Sequence, residues 1–198
     1  LHPSDTRTGL SYSLISMTQP IIGGLFTQTQ ARHHLKLIEE HLLLPDGAHL
    51  MDRPVVYNGG PEKLFRRAES SSFFGREIGL MYVHAHLRYC EALAKQGEAQ
   101  KAWEGLALIN PIAVTQHLPN ASLRQRNTYF SSSDAAFPDR YTASAEWGRV
   151  RTGTVAVDGG WRIYSSGPGL FTRAIVEQVL GKRRHFGVRE ENPQIGRP

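Results

Sequence analysis

The residues best suited to chemistry lie between Glu77 and Arg88. At about 100° per residue along a helix, Glu77, His84 and Arg88 share one stripe with Met81. Leu80, Val83, Leu87, Cys90 and Ala94 form a second stripe, and Tyr82, His86, Tyr89 and Leu93 a third. Most of the circumference is apolar or aromatic, which predicts a mostly buried helix. A carboxylate, an imidazole and a guanidinium on such a helix need partners, because unpaired buried charge is costly. Two readings stay open: a polar cavity lined by the stripe, or a structural Glu/Arg pair beside a satisfied histidine.

Two other stretches carry donors. Ser165-Ser166-Gly167-Pro168-Gly169 precedes a helical pattern. Serine caps helices well and proline suits the first helical position. Such an end, with free N–H groups and two hydroxyls, serves as an anion site or as a plain cap. Pro168 has no N–H, so Gly167 and Gly169 would supply the backbone donors. The run from Phe65 to Glu77, rich in Arg, Glu, Ser and Phe, offers guanidinium forks and aromatic faces to sugars and phosphates. Its alternative is a solvated loop anchored by Phe73 and Phe74.

Other chemistries find no support in the residues. A single cysteine, Cys90, rules out an intrachain disulfide framework and a Cys/His zinc pattern, and fits a reducing, cytoplasmic compartment. No metal or organic cofactor is expected. His33 and His34 are adjacent and point to different helix faces. There is no Walker loop, dinucleotide glycine pattern or nucleophile elbow. Asn120-Ala121-Ser122 matches a glycosylation sequon by chance. Arg124, Arg126, Arg140, Arg149 and Arg151 could form a basic patch, but no recognition-helix pattern accompanies them, so no nucleic-acid partner is expected.

The elements that must position these residues are mainly helical. Thr27 to Leu44 opens on a capping box, Thr27 with Gln30, and carries an apolar stripe of Ala31, Leu35, Ile38 and Leu42. Pro45-Asp46-Gly47 ends it. Leu14 to Phe26 forms an earlier helix, weakened at Gly23-Gly24 by about 1 kcal/mol per glycine. Gly75 to Gln96 is the buried helix, closed by Gly97. Glu98 to Ile109 follows at once and stops at Asn110-Pro111, which predicts an antiparallel helical pair.

From Pro111 to Gly169 the helical signal fails. Arg149 to Val157, Asp158-Gly159-Gly160 and Trp161 to Tyr164 read as a short hairpin. The stretch holds too many aromatics for disorder and reads as an ordered loop over a site, or as one needing further structure. Pro168 to Leu180 is a last helix, and the charged segment beyond Gly181 reads as a linker or tail.

Composition sets the outer bounds. The 198 residues are 40% hydrophobic and 21% charged, with a net charge of +5. That fits one ordinary domain or two small ones and excludes disordered and membrane classes. No run reaches the roughly 18–20 apolar residues of a spanning helix, and no basic segment leads into an apolar one at the start. The chain begins at Leu1 rather than methionine, which suggests a processed product or a piece of something longer.

The segment Ala68 to Tyr89 resembles inverting glycoside phosphorylases of the cellobiose-phosphorylase type, closest to members acting on β-1,2-linked glucose oligomers. Leu50 to Pro54 with Gly59-Gly60, Asn110-Pro111-Ile112, and Gly159 to Gly167 fit the same pattern in the same order. The resemblance covers about residues 14 to 185, with the His84 segment the most specific part. It implies that residues 1–185 are the C-terminal portion of an (α/α)6 catalytic barrel, with 186–198 as linker or tail. It implies reversible inverting phosphorolysis of β-linked glucose oligomers to α-glucose 1-phosphate, with inorganic phosphate as co-substrate and nucleophile.

Position by position, the resemblance makes His84, Ser165 and Ser166 phosphate-binding. The family's Thr-Gly pair is here Ser-Ser, which keeps a hydroxyl at Ser165 and places a side chain where the family has glycine. It makes Glu77 a residue of the sugar site, with Arg76 and Arg88 beside it as substrate-binding candidates. No aspartate here sits in the context of the family's catalytic acid, so this segment alone is expected to be inactive. Family members are commonly homodimers. Two alternatives stay open: the phosphorylase-like domain of a cyclic β-1,2-glucan synthase, and a non-catalytic carbohydrate-binding helical module.

Overall fold

The computed structural model describes residue 6 and residues 9–53, 81–110, 114–121, 132–159 and 166–191. Its first helices are α1 (Leu14–Gly23) and α2 (Gln28–His41). Gly24, at φ 69°, ends α1 with its own N–H on Ile21 O and that of Leu25 on Pro20 O. This left-handed turn is the stop that glycine permits cheaply. The capping box on α2 forms as the spacing predicts: Gln30 N–H donates to Thr27 Oγ1 and Thr27 N–H to Gln30 Oε1. Arg151 closes the other end, its guanidinium donating to the carbonyls of Glu40 and His41, each at 3.0 Å.

A tight turn follows, β1 (Leu43–Leu44) against β2 (Gly47–Ala48), with Gly47 at φ 129°. Then come β3 (Met81–Tyr82) and α3 (Val83–Lys95), the centre of the molecule. After Gly97, at φ 83°, α4 (Ala99–Leu108) folds back on α3 as the expected helical pair. The buried helix is therefore shorter than its apolar pattern implies. Residues 75–80 lie outside the described residues, and Met81 and Tyr82 are extended, paired with a distant strand. Met81 is thus not on the helix that carries His84.

Two hydrophobic clusters flank α3. On one side Ala85, Tyr89, Ala92 and Leu93 pack with Leu14 and Ile21 of α1, Ile38 of α2 and Ala102 of α4. On the other, Val83, Leu87 and Cys90 pack with Leu106, Ile109 and Ala174. The expected burial of this helix is borne out, and so is a mainly α architecture.

The stretch after Pro111 is more regular than expected. It contains α5 (Val114–His117), β4 (Ser132–Ala135), α6 (Arg140–Glu146), α7 (Gly148–Arg151) and β5 (Val157–Gly159). Asp139 caps α6 through the N–H groups of Tyr141 and Thr142 at 2.9 and 2.8 Å. Strands β3, β4 and β5 form an antiparallel sheet in that order. The expected hairpin over Arg149 to Tyr164 is corrected in its first half. Residues 149–151 are helical, and β5 pairs with β4 instead; Trp161 to Tyr164 lie outside the described residues. The sequon residue Asn120 is occupied, donating from Nδ2 to Val155 O at 2.7 Å.

The last helix is α8 (Ser166–Ala174), continued by a wider turn over Ile175–Val179 that Leu180 closes with an i to i+5 bond to Ile175 O of 2.9 Å. It packs on α3. Where an irregular tail was expected, β6 (Lys182–His185) and β7 (Val188–Glu191) form an exposed antiparallel hairpin. Phe186 and Gly187 turn it, both at positive φ. Among the described residues no helix is long and apolar enough to cross a membrane.

Candidate functional site

Helix α3 carries two histidines two residues apart, and their surroundings differ completely. His84 stands in its first turn, in a stripe with Arg88 and Glu91 between the two apolar clusters; all three are half-buried. The His84 ring lies nearly parallel to that of Tyr82, centroids 6.0 Å apart. Partial burial, and then the charge of Arg88, hold the imidazole below its ordinary pKa. At neutral pH it is therefore uncharged, with a proton on one of its two ring nitrogens. The first turn of α3 has no acidic side chain, and Tyr82 makes no side-chain cap bond.

Arg88 has a partner. Its Nη1 donates to Glu91 Oε2 at 2.6 Å, and the other carboxylate oxygen accepts from Arg173 Nη2 of α8 at 2.7 Å. Arg173 also approaches Glu177 at 3.6 Å. Glu91 thus bridges two guanidinium groups and ties α8 to α3. Arg88 does form a structural pair with a glutamate, Glu91, one turn further along α3; Glu77 lies outside the described residues.

His86 lies about 200° round the helix from His84. It is fully buried, and Nδ1 accepts from Ala48 N–H at 2.9 Å. That fixes the tautomer: Nε2 carries the proton and donates to Gly105 O at 2.9 Å. Burial, the largest influence, pushes its pKa down, against the opposing pull of Gly105 O and Asp46. Nearby, the buried Asp46 and His49 side chains meet at 2.7 Å. A methyl group on Gly105 would come within 2.7 Å of Cys90 Sγ, and one on Gly47 within 3.1 Å of His86 Nδ1. Glycine at both places is what lets the imidazole join the β1–β2 turn to α3 and α4. Burial pushes the Cys90 thiol up to about 12, so it is an inert core group.

Of the site residues expected from the sequence, the structure brings His84 and Arg88 onto one stripe of α3 and sets α8, which Ser166 opens, against that helix. Arg76, Glu77 and Ser165, and the Phe65 to Glu77 run, lie outside the described residues. Sequence reasoning missed Glu91, whose i, i+3 spacing from Arg88 was the available signal. It also missed the Asp46–His49 pair, spaced i, i+3 in a turn.

No family model matches the chain. It is 53% identical over 184 residues, 93% of its length, to a 1,2-beta-oligoglucan phosphorylase of Listeria innocua serovar 6a. The chain spans 17% of that protein. Over nearly all of its own length, then, this sequence is similar to one part of a 1,2-beta-oligoglucan phosphorylase, as the residues around His84 led us to expect.

Proposed function

We propose that the polypeptide carrying this chain is a cytoplasmic glycoside phosphorylase that cleaves β-1,2-linked glucose oligomers with inorganic phosphate and inverts the anomeric centre. The similarity to a protein of that name over 93% of the chain carries the reading. These residues are the C-terminal portion of an (α/α)6 barrel in this proposal. An inverting hydrolase needs an acid for the leaving oxygen and a base for water. A phosphorylase takes phosphate in place of water, and phosphate is already an anion. The C–O bond to the leaving sugar breaks as that oxygen takes a proton from an acid outside this segment. A phosphate oxygen bonds to the anomeric carbon from the opposite face, giving α-glucose 1-phosphate.

Phosphate needs donors on that face. In this reading His84 supplies an N–H, and Ser165 and Ser166 supply hydroxyls. A dianion beside His84 favours its charged form, so phosphate and a proton bind together there. Glu77, Arg76 and Arg88 face the sugar in this reading, with Glu91 holding Arg88 in one orientation.

The test is release of α-glucose 1-phosphate from β-1,2-linked glucose oligomers by the whole polypeptide, with and without phosphate. Product that requires phosphate supports the reading. Free glucose formed equally without phosphate, or no turnover with intact glucan binding, would reject it.

A further inference from the structure

We infer that the cavity on the far side of α3 from His84 is a second binding site, for a neutral sugar unit, separate from the phosphorolysis site. It is an open pocket of about 490 Å³ between the end of α2, α3, α4 and α5. That is within the roughly 300–1,000 Å³ of small-molecule pockets. Tyr89 stands about 140° round α3 from His84, so the two sites open on different sides of the same helix.

The lining is built for a molecule with an apolar face and hydroxyls. Leu44, Leu108 and the ring of Tyr89 give apolar walls. Lys101 and Glu39 pair at 2.6 Å at its edge, and Gln100 holds Glu104 at 2.9 Å. An ammonium has three donors and a carboxylate about four acceptor positions, so each keeps capacity for a ligand hydroxyl. Tyr89 is 3% exposed and lines the cavity, where its hydroxyl can donate. Burial keeps that phenol protonated, a standing donor. His86 also lines the cavity, but both its ring nitrogens are already engaged.

Charge selects the ligand class. Glu39 and Glu104 outweigh Lys101, so inorganic phosphate or a sugar phosphate is repelled here, opposite to the requirement at His84. A neutral saccharide meets apolar walls, two acceptors and two donors. The choice of a β-1,2-linked glucose disaccharide as probe rests on the function proposed above; the cavity argument does not.

The experiment is calorimetric titration of that disaccharide, and separately of inorganic phosphate, into the intact polypeptide carrying this chain, its Tyr89→Phe and Leu108→Trp variants, and His84→Ala. We expect a class of disaccharide sites that survives His84→Ala, weakens several-fold to about tenfold in Tyr89→Phe, and disappears when Leu108→Trp fills the cavity. Phosphorolysis by the Tyr89 and Leu108 variants should be unchanged. One class of sites lost in His84→Ala, or binding untouched by Tyr89→Phe, overturns the inference, as does phosphate binding that His84→Ala leaves intact and Tyr89→Phe weakens. Tyr89→Phe keeps the ring and the packing, so the test stands even if Leu108→Trp fails to fold. Phosphorolysis without a Tyr89-dependent class sinks this inference alone. Tyr89-dependent binding without phosphorolysis sinks the proposed function and leaves the cavity site standing.

Discussion

His84 and His86 are two residues apart on one helix, and both are held below their ordinary pKa by burial. At His86 both ring nitrogens are engaged by backbone groups from two other elements, and the ring is walled in by Gly47 and Gly105. At His84 the ring is half-buried at a helix start, beside an arginine that a bridging carboxylate holds. The difference teaches that a histidine's role follows from what its two nitrogens meet and what can still reach them, more than from the sign of its pKa shift.

Replacing each histidine breaks the comparison most directly. His86→Ala leaves Ala48 N–H and Gly105 O without partners in the core. It should destabilise the chain by about 4 kcal/mol in urea unfolding, from two orphaned groups and a cavity. His84→Ala should shift stability by about 1 kcal/mol or less, as expected of a half-exposed residue. Equal losses would mean that the two positions are structurally alike.

Gly105→Ala comes next. Its new methyl would meet Cys90 Sγ at 2.7 Å, and the expected loss is about 1–3 kcal/mol. Cys90→Ala in the same chain should recover part of it, since it removes the colliding sulfur. A loss unaffected by Cys90→Ala would put the strain elsewhere, at the His86 ring.

Acidification gives a smaller effect of definite sign. In the unfolded chain histidine titrates near about 6.5. Folded His86, His84 and His34 all titrate lower. Above the unfolded value all are neutral and stability is full. As pH falls through it, the unfolded chain takes protons that the folded one refuses, and stability drops. Urea midpoints from pH 7.5 to 5 should fall, and His84→Gln should keep most of the slope, because His86 is the more deeply buried. A midpoint that rises on acidification would contradict this. The smallest change, Thr27→Ala, removes the cap of α2 far from both histidines and should lower stability by about 0.5–1 kcal/mol with phosphorolysis intact.

Local signals were the legible ones. The Thr27–Gln30 box, the stop at Gly97 and the apolar faces of α2 and α3 depend on neighbours within a few turns, and the structure reproduces them. Met81 and Tyr82 look helical by pattern, but their partners in β4 lie some fifty residues away, and long-range pairing overrides local period. The role of His86 was hidden for the same reason: its partners, Ala48 and Gly105, come from separate elements. Asp139 after Pro138 was a readable cap that the dense Ser, Gly and Arg background masked. Of the candidate site, His84 and Arg88 were legible by spacing, as was the i, i+3 relation of Glu91 to Arg88, whereas the bridge from Glu91 to Arg173 of α8 is long-range and was not.

The most direct measurement is the phosphate dependence of phosphorolysis by the intact polypeptide and its His84→Ala variant, at matched folded fraction. The account predicts a fall in kcat/KM for phosphate of about 10²–10³-fold, the usual effect of deleting one donor to a developing or bound anion, with the melting temperature nearly unchanged. Undiminished turnover in the variant, or loss of activity only in step with loss of fold, would contradict it and make His84 as structural as His86.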